Sequence, residues 1–274
     1  MLSGGHLLIE DIPGTGKTIL AKSLASVLNL DFKRVQFTSD LMPSDVLGVS
    51  IFNPNTRSFE LHKGPIFTNI LLADEINRAP QRSQSSLLEA MAEKQVSIEN
   101  STHLLSDLFF VIATQNPVDM KGTFPLPNAQ KDRFLFQLSM GYPDKKSEIA
   151  LMMGERRDTL LKKKNDHFLN IDHLIILKEM VNKITVSPKI YEYAYSLIDA
   201  TRNHENIACG LSTRASLDLI KSSKAHAMVM GRNFVNPEDV QEVFLHMAPH
   251  RISSTQNESN HVEIIKKIIS ATRV

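Results

Sequence analysis

The sequence predicts an α/β fold with a parallel five-stranded sheet, followed by an all-helical domain. Strand-like apolar runs alternate with helix-period segments through the first half of the chain. A glycine-rich turn joins the first run to a helix-period segment, as it does in phosphate-binding loops. After Tyr142-Pro143-Asp144 only helix signals follow, so we divide the chain into an α/β domain over residues 1–142 and a helical domain over residues 143–274.

Five short strand-like runs supply the predicted strands, and the apolar run over residues 70–74 is typical of a buried parallel strand. The runs cover residues 7–9, 33–37, 70–74, 109–114 and 134–138. Between the first two, Leu20, Leu24, Val27 and Leu28 recur at helical spacing and predict a helix with one buried face. This alternation predicts helices on both faces of the sheet.

The glycine-rich turn over residues 10–18 reads EDIPGTGKT and has the layout of a phosphate-binding loop. Glycines let backbone N–H groups approach phosphate oxygens, and the next helix points its positive N-terminus at the same anion. Lys17 would reach the β- and γ-phosphates, and the Thr18 hydroxyl would hold magnesium. Asp11 stands where the strict pattern has glycine. The predicted nucleotide-binding residues of this loop are Asp11, Pro13, Gly14, Thr15, Gly16, Lys17 and Thr18.

The strand over residues 70–74 ends in the acidic pair Asp74-Glu75. In open α/β sheets this end of a strand is where nucleotide sites form, so Asp74 could position a magnesium ion through water. Glu75 could orient or deprotonate an attacking water. An acid-rich helix N-terminus would explain the same pair, but Lys17 and Thr18 upstream favour catalysis. We therefore predict a nucleotide and Mg²⁺ as ligands, with Thr18 and Asp74 at the metal.

The amino-acid composition excludes several other classes of protein. The 274 residues, 42% hydrophobic and 22% charged, are typical of a soluble globular protein with one large and one small domain. A net charge of +1 argues against a strong field for nucleic acid or membrane. Cys209 is the single cysteine, which excludes an internal disulfide. The sequence has no membrane-length apolar run and no signal-peptide pattern, so we predict a cytoplasmic location.

Two intervals do not fit a minimal alternation and read as inserted β-hairpins. The first spans residues 47–67 around the turn-prone Asn53-Pro54-Asn55, and the second spans residues 95–105. Surface decoration and a working loop explain the pattern equally well.

In the second half, pairs of capping residues predict the starts of helices. They are Ser147-Glu148, Ser187-Pro188, Ser212-Thr213 and Asn236-Pro237, and a last helix is predicted over residues 261–271. These helices predict a small bundle.

Six motifs in order resemble the MoxR family of AAA+ ATPases, and together they cover nearly the whole chain. They are LADEINRAP at residues 72–80, LLEAM at 87–91, ATQNP at 113–117, LPNAQKDRF at 126–134, STRA at 212–215 and GRNFV at 231–235. The resemblance implies a P-loop AAA+ core with hairpin insertions and a C-terminal helical lid domain. Family members also have a leading helical segment that helps to enclose the adenine. Here the first strand begins almost at Met1, so we expect a shortened N-terminal segment or an incomplete adenine pocket.

The resemblance implies catalytic roles for three residues besides Glu75. Asn116 matches sensor 1 and could bond the attacking water or the γ-phosphate, although an Asn-Pro pair can simply make a turn. Arg214 matches sensor 2, which would touch the γ-phosphate of the same subunit. Arg133 matches the arginine finger, which acts on the neighbour's nucleotide. The finger implies a homo-oligomeric ring, most often a hexamer in this family.

The function implied by the resemblance is ATP hydrolysis by a chaperone that assembles partner proteins or inserts a metal or cofactor into them. The implied client is a protein with a von Willebrand factor A domain, contacted by the two hairpins. Two alternatives stay open: a nucleotide-gated binding module without useful turnover, and a nucleic-acid-directed ring ATPase. The hairpins carry few basic residues, chiefly Arg57 and Lys63, which argues against nucleic acid.

Overall fold

The computed structural model describes residues 1–99, 101–117, 122–153, 169–255 and 260–274. These residues form two compact units. The α/β unit covers His6–Pro125 and Leu138–His173, and the helical unit covers Met1–Gly5, Leu126–Gln137 and Leu174–Val274. The contacts thus group Leu126–Gln137 with the helical unit, whereas the sequence division at residue 142 assigned it to the α/β domain. That division into domains stays a prediction.

The elements of the described residues follow the predicted alternation of strands and helices. In chain order they are β1 (Leu7–Glu10), α1 (Lys17–Val27), β2 (Phe32–Gln36), α2 (Pro43–Leu47), β3 (Gly48–Asn53), β4 (Ser58–Lys63), β5 (Ile70–Asp74), a 3₁₀ turn (Ile76–Arg78), α3 (Gln81–Glu93), β6 (Gln95–Ile98), β7 (Ser101–Leu104), β8 (Phe110–Gln115), α4 (Asn128–Lys131), β9 (Phe136–Leu138), α5 (Lys145–Met152), α6 (Ile171–Lys183), α7 (Pro188–Arg202), β10 (Ile207–Cys209), α8 (Thr213–Val229), α9 (Pro237–Met247), β11 (Ser253–Ser254) and α10 (His261–Ala271).

A parallel five-stranded sheet in the order β2-β5-β8-β1-β9 confirms the predicted α/β class. Each of the five predicted runs overlaps one strand of this sheet, with bounds that differ by at most about two residues. The central strands β5 and β8 are almost completely buried, as their apolar sequences require. In register, Gln36 lies opposite Asp74, and Glu10 lies opposite Gln115. The carboxyl ends of β2, β5, β8 and β1 therefore meet at one edge.

Both predicted hairpins are confirmed, since β3 pairs with β4 and β6 pairs with β7, each antiparallel. In the first hairpin, Phe52 and Phe59 face each other with ring centroids 5.4 Å apart. The two side chains remain 50% and 66% exposed. At the base of the hairpin, a Cβ atom on Gly48 or Gly64 would overlap backbone atoms of the facing segment. The hairpin thus has a tightly closed base and an exposed aromatic pair.

The helical unit is built on a buried core from α7 to α10, which includes Leu197, Leu219, Phe244 and Ile265. The predicted helix starts at Ser187, Ser212 and Asn236 are confirmed. Ser187 and Ser212 cap the first turn of their helices through their hydroxyls, as the capping pattern predicts. At Asn236 the Asp239 carboxylate accepts from the Asn236 N–H at 2.8 Å.

One predicted helix start was misplaced, and two elements were not predicted. The predicted cap at Ser147 was three residues late, because Asp144 caps α5 by accepting a bond from the Ser147 N–H. Helix α6 was missed, and it buries few residues, Leu174 and Val181. The short pairing of β10 with β11 was also missed. Among the described residues, no helix is both long and apolar enough to cross a membrane.

Candidate functional site

A cavity of about 370 Å³ opens at the sheet edge where β1, β5 and β8 end. It is lined by Pro13, Gly14, Thr15, Gly16, Lys17, Thr18, Ile19, Arg34, Asp74, Glu75, Thr114, Gln115 and Asn116. We call it the phosphate cavity. It brings together nine of the twelve predicted site residues, and the other three, Asp11, Arg133 and Arg214, lie elsewhere.

The loop between β1 and α1 has the backbone geometry that the sequence predicts. Gly14 and Gly16 have φ angles of +85° and +88°, in the left-handed region that side chains disfavour. Around both glycines the described atoms leave space for a Cβ, so the requirement for glycine here is conformational. Gly16 directly precedes α1, whose first N–H groups have no partner within the helix. The Lys17 ammonium donates to the carbonyls of Asp11 and Ile12, both at 2.8 Å.

Asp11 lies behind this loop, and its carboxylate is 6% exposed. One oxygen accepts from the N–H of Ile12 at 2.9 Å, and the other accepts from the N–H groups of Met140 and Gly141 at 2.7 and 2.9 Å. Burial opposes ionisation of this carboxyl, but the three N–H donors and nearby Lys17 outweigh it, so the pKa of Asp11 lies below its usual value. Asp11 thus ties the loop to the segment after β9.

Asp74 ends β5 inside the phosphate cavity, where both of its oxygens accept hydrogen bonds. The Thr114 hydroxyl donates to Oδ1 at 2.5 Å. The Arg34 guanidinium donates to Oδ2 through NH2 at 2.6 Å and through Nε at 3.1 Å. Arg34 and Thr114 were missed by the sequence analysis. The available signal was the spacing of Arg34 and Gln36, which places both on one face of the strand next to β5.

Glu75 follows Asp74 with φ 56° and ψ 49°, a left-handed conformation that costs a non-glycine residue about 1 kcal/mol. Its N–H donates to the Thr114 hydroxyl at 2.9 Å, so one buried hydroxyl contacts both acidic residues. The Glu75 carboxylate accepts from Gln36 Nε2 at 2.7 Å and from Arg78 Nε at 3.1 Å. Two side chains therefore set the direction in which this carboxylate points.

Asn116 follows β8 and is 7% exposed at the wall of the phosphate cavity. Its carbonyl accepts a 3.4 Å bond from the Asn77 side chain. The strand order places β8 between β5 and β1, so Asn116 lines the same cavity as Glu75 and Lys17. This position agrees with the predicted sensor role without testing it.

The donor set of the phosphate cavity fits a magnesium ion. Thr18 and Asp74 supply the hard oxygen atoms that Mg²⁺ prefers, and both line the cavity. Mg²⁺ takes one or two protein ligands and completes its shell with phosphate and water, so two protein oxygens are enough to hold it.

A second cavity of about 590 Å³ shares Gly14, Thr15, Gly16 and Ile19 with the phosphate cavity. We call it the apolar cavity. Its remaining lining is Leu20, Ser23, Met140, Pro143, Ser147 and Leu151. The two cavities therefore adjoin along the phosphate loop.

Arg133 and Arg214 both belong to the helical unit. Arg133 follows α4 and is half-buried, and Arg214 is the exposed second residue of α8. Ser212 caps α8 with its hydroxyl, which accepts from the Ala215 N–H at 3.2 Å.

Comparison with known proteins identifies the family. Residues 6–136 match the ATPase family associated with various cellular activities (AAA), and residues 199–268 match the AAA lid domain. The chain is 42% identical to the uncharacterized protein YeaC of Bacillus subtilis, over 100% of this chain and 87% of that protein. It is 39% identical to Chaperone MoxR1 of Mycobacterium tuberculosis, over 93% of this chain and 69% of that protein.

A crystal structure from Cytophaga hutchinsonii, of a protein described as a candidate ATPase, superposes with a TM-score of 0.89. It is 38% identical and covers 99% of this chain and 86% of its own. The phosphate-loop geometry, the two matched domains and the identity to Chaperone MoxR1 agree with one another. The chain belongs to the MoxR family of AAA+ ATPases.

Proposed function

We propose that this protein binds ATP with Mg²⁺ and hydrolyses it. The observation that carries the proposal is the phosphate cavity, which Lys17, Asp74, Glu75 and Asn116 all line. The loop N–H groups and Lys17 would bind the phosphates, and the apolar cavity beside the loop would accept the adenine. Thr18 and Asp74 would hold Mg²⁺, which neutralises charge on the phosphates when bound.

In this proposal, each catalytic residue has a separate role in hydrolysis. Glu75 orients the attacking water and accepts its proton, and Asn116 bonds the water or the γ-phosphate. Arg133 stabilises the charge that develops on the neighbour's nucleotide, and Arg214 contacts the γ-phosphate of its own subunit. The assignment of these two arginines rests on the motif match, so the proposal includes a homo-oligomeric ring, most often a hexamer in this family.

We further propose that turnover serves a chaperone function on a client protein in the cytoplasm. One relative at 39% identity is named Chaperone MoxR1, which supports this class of function. The exposed Phe52 and Phe59 give the first hairpin an apolar surface suited to a protein partner. The client would be a von Willebrand factor A domain protein that matures by assembly or by insertion of a metal or cofactor.

The proposal is tested by measuring ATP hydrolysis per subunit over a wide range of protein concentration. We expect specific activity to rise with concentration, because a site that needs the neighbour's arginine is complete only in the ring. Glu75→Gln should bind ATP but lose turnover, and Lys17→Ala should weaken ATP binding. Tight ATP binding without hydrolysis at any concentration would favour a nucleotide-gated binding module.

A further inference from the structure

Arg34 is a cationic side chain in the wall of the phosphate cavity. It lies on β2, two residues before Gln36, which is the register partner of Asp74 on β5. Lys17 lines the same cavity, but the two cations bind different groups. Lys17 donates to carbonyls of its own loop, whereas Arg34 donates to the Asp74 carboxylate. Arg34 therefore acts on the side of the cavity where the metal would be held.

Arg34 takes up much of the acceptor capacity of Asp74. Its NH2 and Nε groups both donate to Oδ2, at 2.6 and 3.1 Å, and the Thr114 hydroxyl donates to Oδ1 at 2.5 Å. An ionised carboxylate has about four lone-pair sites, two on each oxygen. Arg34 thus engages both sites of Oδ2, and a water bound to a metal competes with Arg34 or shares Oδ1 with Thr114.

The direction of the Arg34 guanidinium is fixed by a third bond. Its NH2 group also donates to Oε1 of Gln36 at 2.8 Å, so both hydrogens of NH2 and the single hydrogen of Nε are engaged. A guanidinium is planar and rigid, so these three bonds determine the orientation of the whole group. Arg34 is therefore held against Asp74 by a neighbour on its own strand.

The charge of Arg34 also opposes a cation at Asp74. A guanidinium is always protonated, and the Asp74 side chain is only 13% exposed, so solvent screens this pair weakly. Asp74 is already neutralised by Arg34, and a metal ion held through Asp74 would lie close to a fixed positive charge. The phosphates of a nucleotide supply the further negative charge that a metal ion needs there.

We propose that Arg34 prevents the phosphate cavity from binding Mg²⁺ without a nucleotide. Asp74 paired with Arg34 holds the free ion too weakly, whereas phosphate oxygens, Thr18 and Asp74 together hold it well. Arg34 is thus a specificity-determining residue that selects the metal–nucleotide complex over the free metal ion. The inference rests on the proposed function, because that proposal places Mg²⁺ and nucleotide together in this cavity.

Binding of Mn²⁺ without nucleotide tests the effect of Arg34 on the free ion. Mn²⁺ takes the same oxygen ligands as Mg²⁺, and electron paramagnetic resonance detects its unbound form. We expect Arg34→Gln to bind one Mn²⁺ per chain about tenfold or more tighter than wild type, because a neighbouring positive charge is removed. Arg34→Lys keeps the charge and should stay close to wild type. Equal affinity in wild type and Arg34→Gln would overturn the inference.

Two control variants show that the gain in Mn²⁺ binding arises at Asp74. Lys33→Gln removes the same charge from the exposed residue before Arg34 and should bind Mn²⁺ as wild type does. Asp74→Asn combined with Arg34→Gln should lose the tight binding. Tight binding that persists in this double variant would place the ion elsewhere and would overturn the inference. Arg34→Met, which keeps the length of the side chain, repeats the test if Arg34→Gln does not fold.

Adding ADP to the wild-type protein tests the dependence on nucleotide. We expect Mn²⁺ to be bound with ADP at concentrations at which it stays free without ADP, and equal binding in both conditions would overturn the inference.

Calorimetry with Mg²⁺ and ADP then distinguishes a direct contact with phosphate. Arg34→Gln should bind the Mg²⁺–ADP complex at least as tightly as wild type, and a loss of about tenfold or more would mean that Arg34 binds phosphate itself, which would overturn the inference. Wild-type protein that binds no ADP, with or without Mg²⁺, would instead overturn the proposed function.

Discussion

Gln36 and Glu75 meet at the carboxyl ends of neighbouring strands, where the Gln36 amide donates a 2.7 Å hydrogen bond to the Glu75 carboxylate. The same Gln36 side chain accepts from Arg34, which in turn binds Asp74. A short chain of side chains on β2 therefore engages both acidic residues at the end of β5.

We expect Gln36→Met to raise basal ATP turnover. The substitution keeps the length of the side chain but removes the donor that occupies one oxygen of the Glu75 carboxylate. With that oxygen free to bond the attacking water, kcat should rise about twofold to fivefold without a change in ATP affinity. Steady-state kinetics would check this. A lower kcat would mean that Gln36 positions Glu75 for catalysis.

We expect Thr114→Val to impair both stability and turnover. The Thr114 hydroxyl donates to Asp74 and accepts from the Glu75 N–H. Valine has the same shape as threonine but can make neither hydrogen bond. A buried N–H left without a partner costs roughly 1–3 kcal/mol. Urea unfolding should show that loss, and kcat should fall about tenfold or more as the acidic pair loses its fixed position. Thr114→Ser keeps the hydroxyl and should retain most activity, so equal defects in both variants would contradict the argument.

Asp11→Asn should weaken ATP binding although Asp11 lies outside the phosphate cavity. An amide keeps the size of the carboxylate but replaces one acceptor oxygen with a donor, which conflicts with the N–H groups of Ile12 or of Met140 and Gly141. We expect a loss of roughly 1–3 kcal/mol in unfolding free energy and a weaker Kd measured by titration calorimetry. Asp31→Asn, an exposed aspartate, is the matched control and should change neither quantity.

Two buried histidines make stability depend on pH. Burial lowers the pKa of His6 from 6.5 to about 4 and the pKa of His250 from 6.5 to about 3. Between pH 6.5 and these values the unfolded chain binds protons that the folded chain does not, so acid favours unfolding. We expect unfolding free energy to fall by about 1.4 kcal/mol per pH unit for each histidine as pH drops through this window.

Urea unfolding at pH 7.5 and pH 5 measures this dependence. His6→Gln should reduce its slope, because one of the two buried protonation sites is removed. His246→Gln, at a half-exposed histidine on α9, is the control for a general effect of replacing histidine by glutamine. An identical slope in His6→Gln would show that this histidine does not contribute.

The sequence predicted the parts of the site that come from local patterns. The phosphate loop, the acidic pair and the caps at Ser187, Ser212 and Asn236 each depend on a few consecutive residues, whose chemistry is visible in order. The strands were equally predictable from the sequence, because β5 and β8 are apolar enough to predict burial on both faces.

The contacts that the sequence did not predict join residues far apart in the chain. Arg34 and Asp74 are 40 positions apart and meet because β2 pairs with β5. The hydrophobic periodicity of a strand does not specify which other strand lies beside it. The anchoring of Asp11 spans 129 positions to Met140. Such pairings depend on strand order and on loop paths, so a single sequence gives the residue types but not their partners.

The glycine pair at the base of the first hairpin also determines where this protein tolerates substitution. Gly48 and Gly64 have no room for a Cβ among the described atoms around them, so any side chain there would force the two strands apart. Positions near Phe52 and Phe59 point outward and meet no such limit. Related chains should therefore diverge freely at the tip of this hairpin while keeping its base, and recognition of different partners could change there without damage to the nucleotide site.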